Sequence, residues 1–448
     1  MLDSLNPDYI FHRTLKKDWQ YITHGDGVYL FDTEGKRYLD AAAGVHVVSI
    51  GHGVKEVVDA MEEQATRVCF TYGRFLTHAQ VDLAEKIVEL TPEGLSRVFY
   101  VSGGSEATEA ALKIARKYHI ETGNPKKYKV ISRWQSWHGN TIGALSMSGR
   151  TPWREDYVPY LLDFPHIPSP ICHRCPYGQT YPDCHLSCAD ELERVITQEG
   201  SEYISAFIAE PILGTSAAGA APPPDYYPAI REICNRHNVL LIIDEVVTGF
   251  GRTGLNFGIE HWGVTPDIMA TGKGLSSGYT PIAATIAHEK IYDAIYANST
   301  SFTHGHTYGG NPLSCAVAFA VQNFIQEHNL VSRCAEMGDL MLDKLCDLRD
   351  LPIVGQVHGK GLLIGMEFVA DKDKGTPFDV SKDVTSMIVS SAFDRGVLVM
   401  PGAPGLVNGV SGDHIAISPP FTISEDEVSV VADVLRDAIE KTSKRLGY

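Results

Sequence analysis

The chain reads as an α/β protein: a large unit on a mostly parallel sheet, then a smaller α+β unit. Two observations predict this. From about residue 95 to 290, short apolar runs alternate with amphipathic stretches, the pattern of strands joined by crossover helices. After 350 the pattern changes to β-rich runs interspersed with helices, so a second unit closes the chain. With 448 residues, 44 % of them apolar and 21 % charged, the chain can bury a large core, and neither a disordered nor a fibrous protein has this make-up.

Taken in order, GVYLFDTEGKRYLDAAAG (27–44) gives two β-rich runs around the turn Asp32-Thr33-Glu34-Gly35, and 54–69 is helical. RVFYVS, KYKVISRW, YISAFIAEPI, NVLLIIDEV, DIMATGKG and PIAATIAHE are the strand-like runs of the large unit, with helices at EATEAALKIARKYH and near 226–237. A helical stretch from about 312 to 349 leads to the β-rich LPIVGQVHGKGLLIGMEFV, a helix near 381–394, the strand GVLVM and a final helix near 425–443. The expected division is residues 1–70 as an arm and small β unit belonging with the small domain, 71–335 as the large domain and 336–448 as the C-terminal small domain.

The 38 basic and 55 acidic side chains leave a net charge of −17, which repels a phosphate backbone and argues against nucleic acid as partner. No apolar run reaches membrane-spanning length and the first twenty residues lack a signal-like apolar core, so a cytoplasmic protein with no membrane partner is expected. Nine cysteines are too sparse for a disulfide framework.

In open parallel sheets ligands bind at the carboxyl ends of strands. Ser102-Gly103-Gly104-Ser105-Glu106 lies between a strand and a helix, where backbone N–H groups can cradle a phosphate; a plain tight turn is the alternative. Trp137-His138-Gly139 offers a flat face for a heterocycle, or a tryptophan packed under a loop. Asp244 ends NVLLIIDEV and Glu210 ends YISAFIAEPI, so two strands present carboxylates at one edge, suited to a cationic ring nitrogen or to polar capping. Lys273 stands between two glycines after DIMATG, where a desolvated amine becomes a Schiff-base nucleophile; a turn lysine on the surface is the alternative. Together, anion cradle, aromatic plate, strand-end acid and glycine-flanked lysine are what pyridoxal phosphate demands.

SGGSEATEAALKIAR, WHG, AEPI, IIDEVVTGFGRTG, ATGKGLSSGYTPIAA and HTYGGNPLSCA resemble, in order and spacing across nearly the whole chain, class III pyridoxal-phosphate aminotransferases. The resemblance implies a fold-type I transferase, a homodimer with a shared active site, and ping-pong transfer of an amino group from an amine or ω-amino acid to a keto acid. It assigns the cofactor phosphate to Gly104 and Ser105, the ring faces to Trp137, supported by His138, and to Val246, and the ring nitrogen to Asp244. It assigns the Schiff base to Lys273, the phosphate contact across the dimer to Thr307, and the acid beside the pocket to Glu210. Lyases, decarboxylases and aminomutases on the same scaffold are the alternative.

Relatives commonly carry an arginine before the C-terminal Pro-Pro pair that can bind a substrate carboxylate, yet none stands between Arg395 and Pro420. Arg74, with Tyr72 beside it, is the expected replacement at the entrance, with a surface ion pair as its alternative, and His46 is expected at the substrate wall. Val247, where ornithine and 4-aminobutyrate types usually have Gln, directs the expectation toward an amine or ω-amino acid to pyruvate reaction. Cys172, Cys175, Cys184 and Cys188 could form a four-sulfur site, but their spacing is not that of paired C-x-x-C ribbons, and a metal-free surface loop is expected.

Overall fold

The structure, a computed structural model, describes residues 9–448 other than Lys16 and Asp18. Among these residues a seven-stranded sheet runs in the order Leu95–Val101, Ala283–His288, Ile268–Thr271, Leu240–Asp244, Ile204–Ala209, Lys129–Arg133, His166–Ile167. Every residue of Ile204–Ala209, Leu240–Asp244 and Ile268–Thr271 is buried, which is why these strands read as continuous apolar runs rather than alternating ones. Ala283–His288 alone runs against both of its neighbours. The connection 272–282 is too short to hold a crossover helix, so the chain turns back at Lys273–Leu275 and returns antiparallel.

The C-terminal unit has an antiparallel sheet of Val354–Lys360, Leu363–Phe368, Asp413–Ile417 and Met400–Pro401. Leu330–Cys346, Val384–Asp394 and Glu425–Leu446 supply helices to its core, the last opened by a capping box between Ser424 and Glu427. Val28, Leu39, Ala41, Ile50 and Val57 join that core, and Val397–Leu398 pairs parallel with Arg37–Asp40. The helical stretch expected from 312 to 349 is broken: Pro312–Glu327 stops and Leu330–Cys346 starts at Asn329, whose φ of 51° is left-handed.

Loops that follow strands of the large sheet meet the C-terminal unit along a tight seam. A Cβ at Gly365 would fall 1.5 Å from the Ala218 carbonyl oxygen, so only glycine fits there. Ala403 N donates to Thr215 O at 3.1 Å and His414 Nε2 lies 2.8 Å from the same oxygen. Arg252, fully buried, donates to Leu362 O and Pro419 O at 3.1 and 2.6 Å. No helix among the described residues is long and apolar enough to cross a membrane.

Candidate active site

Because the five neighbouring strands from Ile268–Thr271 to His166–Ile167 run parallel, their carboxyl ends share one edge, and the polar residues that follow them gather there. Helix Gly104–Glu121 points its N-terminus at that edge with Gly103 as an N-cap that offers no side chain, leaving first-turn N–H groups available to an anion. The backbone there is closely approached: a Cβ on Gly104 would sit 2.8 Å from Val246 Cγ1, and one on Gly139 2.4 Å from Ser105 Oγ. Ser105 Oγ accepts from Asn140 N at 3.0 Å, which ties this cradle to the Trp137 loop.

Asp244 is buried. Its Oδ2 lies 2.8 Å from His138 Nδ1, while Oδ1 accepts from Val246 N at 3.0 Å. Glu210, also buried, accepts from Trp137 N at 2.8 Å and meets Arg133 Nη2 at 3.3 Å, with His138 Nε2 3.8 Å away. Glu245, beside Asp244, is spent on structure: it accepts from Gly258 N and Ile259 N at 2.9 and 2.8 Å and caps the next turn, and burial pushes its carboxyl up to about 7.

Lys273 takes a left-handed φ of 43°, a strained conformation for a side chain of its size. Burial lowers its ammonium to about 8 against the pull of Asp244, with Arg252 and Arg150 adding repulsion. It lines a cavity of about 360 Å³ together with Trp137, Glu210, Val247, Arg150 and the C-terminal stretch Met400–Pro404. A larger cleft of about 690 Å³ lies between Pro168–Pro176 and Gly355–Gly375 and holds none of the strand-end groups.

The chemistry of this donor set fits pyridoxal phosphate: a helix N-terminus that no side chain caps, a carboxylate fixed from both oxygens, a flat indole, and an amine held near neutrality. The aminotransferase class III family model matches residues 12–439. The chain belongs to the class III aminotransferases. It is 38 % identical to the uncharacterized aminotransferase YodT of Bacillus subtilis over 98 % of this chain and 99 % of that one. It is 35 % identical to the adenosylmethionine-8-amino-7-oxononanoate aminotransferase of Geobacter sulfurreducens, over 96 % and 95 %. Among solved structures, a transaminase from the marine bacterium Virgibacillus superposes with a TM-score of 0.91 at 32 % identity, covering 98 % of both chains. The omega transaminase of Pseudomonas jessenii in complex with PMP gives 0.90 at 32 %, over 96 % of this chain and 94 % of that one. The fold is therefore fold type I, and this class III aminotransferase is an enzyme that uses pyridoxal phosphate.

Gly104, Ser105, Trp137, His138, Glu210, Asp244, Val246 and Lys273 are thus brought to one edge of the sheet. Thr307 lies exposed in the turn after His306, whose Nδ1 is 3.6 Å from the Glu106 carboxylate in the first turn of helix Gly104–Glu121. Tyr72 and Arg74 are exposed, and neither they nor Thr307 line the Lys273 cavity. His46, expected at the substrate wall, lies within the reach of the Lys273 charge. It is buried with Nδ1 2.6 Å from Ser418 Oγ, burial lowers its imidazole well below the usual range, and neighbouring Val45 lines the cavity instead. The four clustered cysteines line a small cavity of their own, and burial together with the neighbouring thiols raises Cys188 to about 12. His173, inside that loop, bonds Glu367 at 2.5 Å, and Arg174 Nε bonds the same carboxylate at 2.7 Å.

Arg150 and Trp153 are cavity residues that the motifs do not reveal. Ser148 Oγ accepts from His138 N at 2.8 Å, and a Cβ on Gly149 would lie 2.1 Å from Arg133 O, so the chain doubles back and delivers Arg150 to the site. The cluster of Arg and Trp in SGRTPWR, soon after WHG, is the one signal in the sequence that could have found it.

Proposed function

We propose that this class III aminotransferase is a homodimer of the cytoplasm that moves the amino group of an amine or ω-amino acid to a keto acid, pyruvate foremost, in two half-reactions that use one site in turn. The observation that carries the reading is the convergence of Lys273, Asp244 and the Gly104–Ser105 cradle on one edge of the sheet. Three further findings support it. The neighbours in structure include enzymes named omega transaminases. Val247 lines the cavity. All nine cysteines, each among the described residues, are unpaired, as a reducing compartment leaves them.

Pyridoxal phosphate, when bound, supplies an electron sink that lowers the cost of removing a proton from the amine-bearing carbon. The residues around it do the rest. Gly104 and Ser105 would hold the phosphate, with Thr307 of the second subunit as a further contact. Trp137 and Val246 would confine the ring. Asp244, braced by His138, would pair with the ring nitrogen and keep it protonated. Glu210, held by Trp137 N and Arg133, borders the pocket. Lys273 would hold the cofactor, and its amine, once free, would be the base that moves the proton between carbons, a task its lowered basicity suits at neutral pH.

Support for the dimer is an exposed apolar surface beside Thr307. Phe70, Tyr72, Phe75, Leu76 and Tyr308 are all exposed, Phe70 and Tyr308 are edge to face at 6.2 Å, and Asn311 Nδ2 donates to Cys69 O at 2.9 Å to hold the segments together.

The test is visible spectroscopy of the purified protein. A yellow band that borohydride fixes in wild type and that Lys273→Ala lacks is expected, bleached by an ω-amino acid or amine and restored by pyruvate. Ammonia or carbon dioxide released with no keto acid present would replace this reading with a lyase or decarboxylase.

A further inference from the structure

The wall that Met400–Pro404 contributes to the Lys273 cavity contains no arginine, and none follows before Pro420. Arg150 lines the same cavity. Its guanidinium is centred 5.1 Å from the Trp137 ring and 4.8 Å from the Trp153 ring, two indoles that meet at 69° and hold the group by cation–π contact. Its Nε is shut from solvent without a partner, and the Arg150 side chain makes no hydrogen bond or ion pair with any other described residue. The carboxylate of Glu210 is taken by Trp137 N and Arg133, and that of Asp244 by His138 and Val246 N. Arg13, over Trp153 at 5.0 Å, adds a further positive charge. Burial and Arg13 push Arg150 down to about 10, as expected of a desolvated cation short of its counter-ion. The proposed phosphate cradle at Gly104–Ser105 is not part of this cavity's lining.

We propose that Arg150 is the carboxylate-binding residue of this enzyme, seating the acid group of an ω-amino acid donor and of the keto-acid acceptor against a shelf of two tryptophans. This rests on the transaminase reading above and narrows it from amines in general to substrates that carry a carboxylate. The planar guanidinium matches a carboxylate with two parallel N–H···O bonds, and the indoles fix its plane before the substrate arrives, so little rotamer freedom is lost on binding. It supplants Arg74, whose exposed segment lies outside the cavity lining.

The test compares wild type, Arg150→Met, Arg150→Lys and Arg74→Met, all saturated with pyridoxal phosphate. Donors are β-alanine and propylamine, which differ by the carboxylate; acceptors are pyruvate and propanal, which differ likewise. In Arg150→Met, kcat/KM should fall on the order of 100-fold more for β-alanine and pyruvate than for propylamine and propanal, with Arg150→Lys between. Calorimetric titration of propionate reads the same subsite with no turnover, and its affinity should fall by a similar factor. Propionate binding lost in Arg150→Met alongside a wild type that transfers no amino group would sustain this inference and remove the transaminase reading. The inference is overturned if the selectivity ratio and propionate affinity stay within threefold of wild type, if Arg74→Met carries the loss instead, or if Arg150→Met weakens cofactor binding rather than substrate selection.

Discussion

The Nδ1 of His138 lies 2.8 Å from Oδ2 of Asp244, with both side chains buried, so the imidazole following one strand braces the carboxylate that ends another. Val246 N fixes the second oxygen at 3.0 Å, and the carboxylate has no freedom left to rotate. Asp244→Asn removes the charge and should cost on the order of 1,000-fold or more in kcat. His138→Leu keeps the charge but removes the brace, and an outer partner of this kind is worth about 10- to 100-fold. Cofactor titration and single-turnover kinetics read both; equal losses in the two variants would contradict the division of labour.

Lys273 makes the cofactor-free protein sensitive to alkaline pH in a defined direction. Burial lowers its ammonium from 10.5 in the unfolded chain to about 8 in the fold. Between those values the unfolded chain binds more protons than the folded one, so stability rises with pH across that window. Lys273→Met should abolish the rise and, near pH 7, stabilise the cofactor-free protein by on the order of 2 kcal/mol. Urea unfolding curves from pH 7 to 10.5 check this; parallel profiles for the two proteins would refute it.

The buried parallel strands were legible because both of their faces are covered, which turns them into unbroken apolar runs such as VLLII before Asp244. Asp413–Ile417 was not, because its first two residues are polar and are satisfied only in the folded state, Asp413 by Thr385 and His414 by Thr215. His166–Ile167 is two residues long and carries no periodicity. The strand-end groups were legible from the chemistry each one offers. Arg150 was not, since what brings it to the cavity is the packing of Gly149 on Arg133, a contact between distant positions. The burial of His46 beside Ser418, with a left-handed φ of 58°, was not legible for a similar reason.

The exposed apolar surface around Leu76 gives a prediction on assembly. Leu76 is 82 % exposed and Phe75 64 %, a costly display unless a second copy covers them. On the proposed dimer, Phe75→Asp with Leu76→Asp should shift sedimentation from dimer to monomer and abolish activity, since the proposed Thr307 contact with the phosphate would be lost. An active monomer would count against a site shared between subunits.

Glu367 should govern acid stability. Burial alone would raise its carboxyl, but His173 and Arg174 outweigh it and hold the group at about 2. A depressed carboxyl stabilises the fold above its unfolded value, and that contribution drains away as pH falls from about 4.5 toward 2. Glu367→Gln leaves the Arg174 guanidinium against an uncharged amide, so it should cost about 3 kcal/mol at neutral pH and remove this part of the acid sensitivity. Denaturant titrations at pH 7, 4.5 and 3 measure both effects, and an unchanged acid limb would show that the pair does not control it.

The seam at Gly365 and Ala218 has a bearing on how this enzyme could acquire new substrates. Gly214, Thr215 and Ser216 line the cavity, and the same stretch is locked to the C-terminal sheet by Ala403 N and His414, with no room for even a methyl group at Gly365. That side of the cavity is a fixed die. Variation that enlarges the active site has to come from the opposite kind of material: Val45, Arg13 and Trp153, side chains outside that lock. Libraries that randomise these positions should return active clones with altered substrate range, whereas libraries placed on the seam should return mostly unfolded protein.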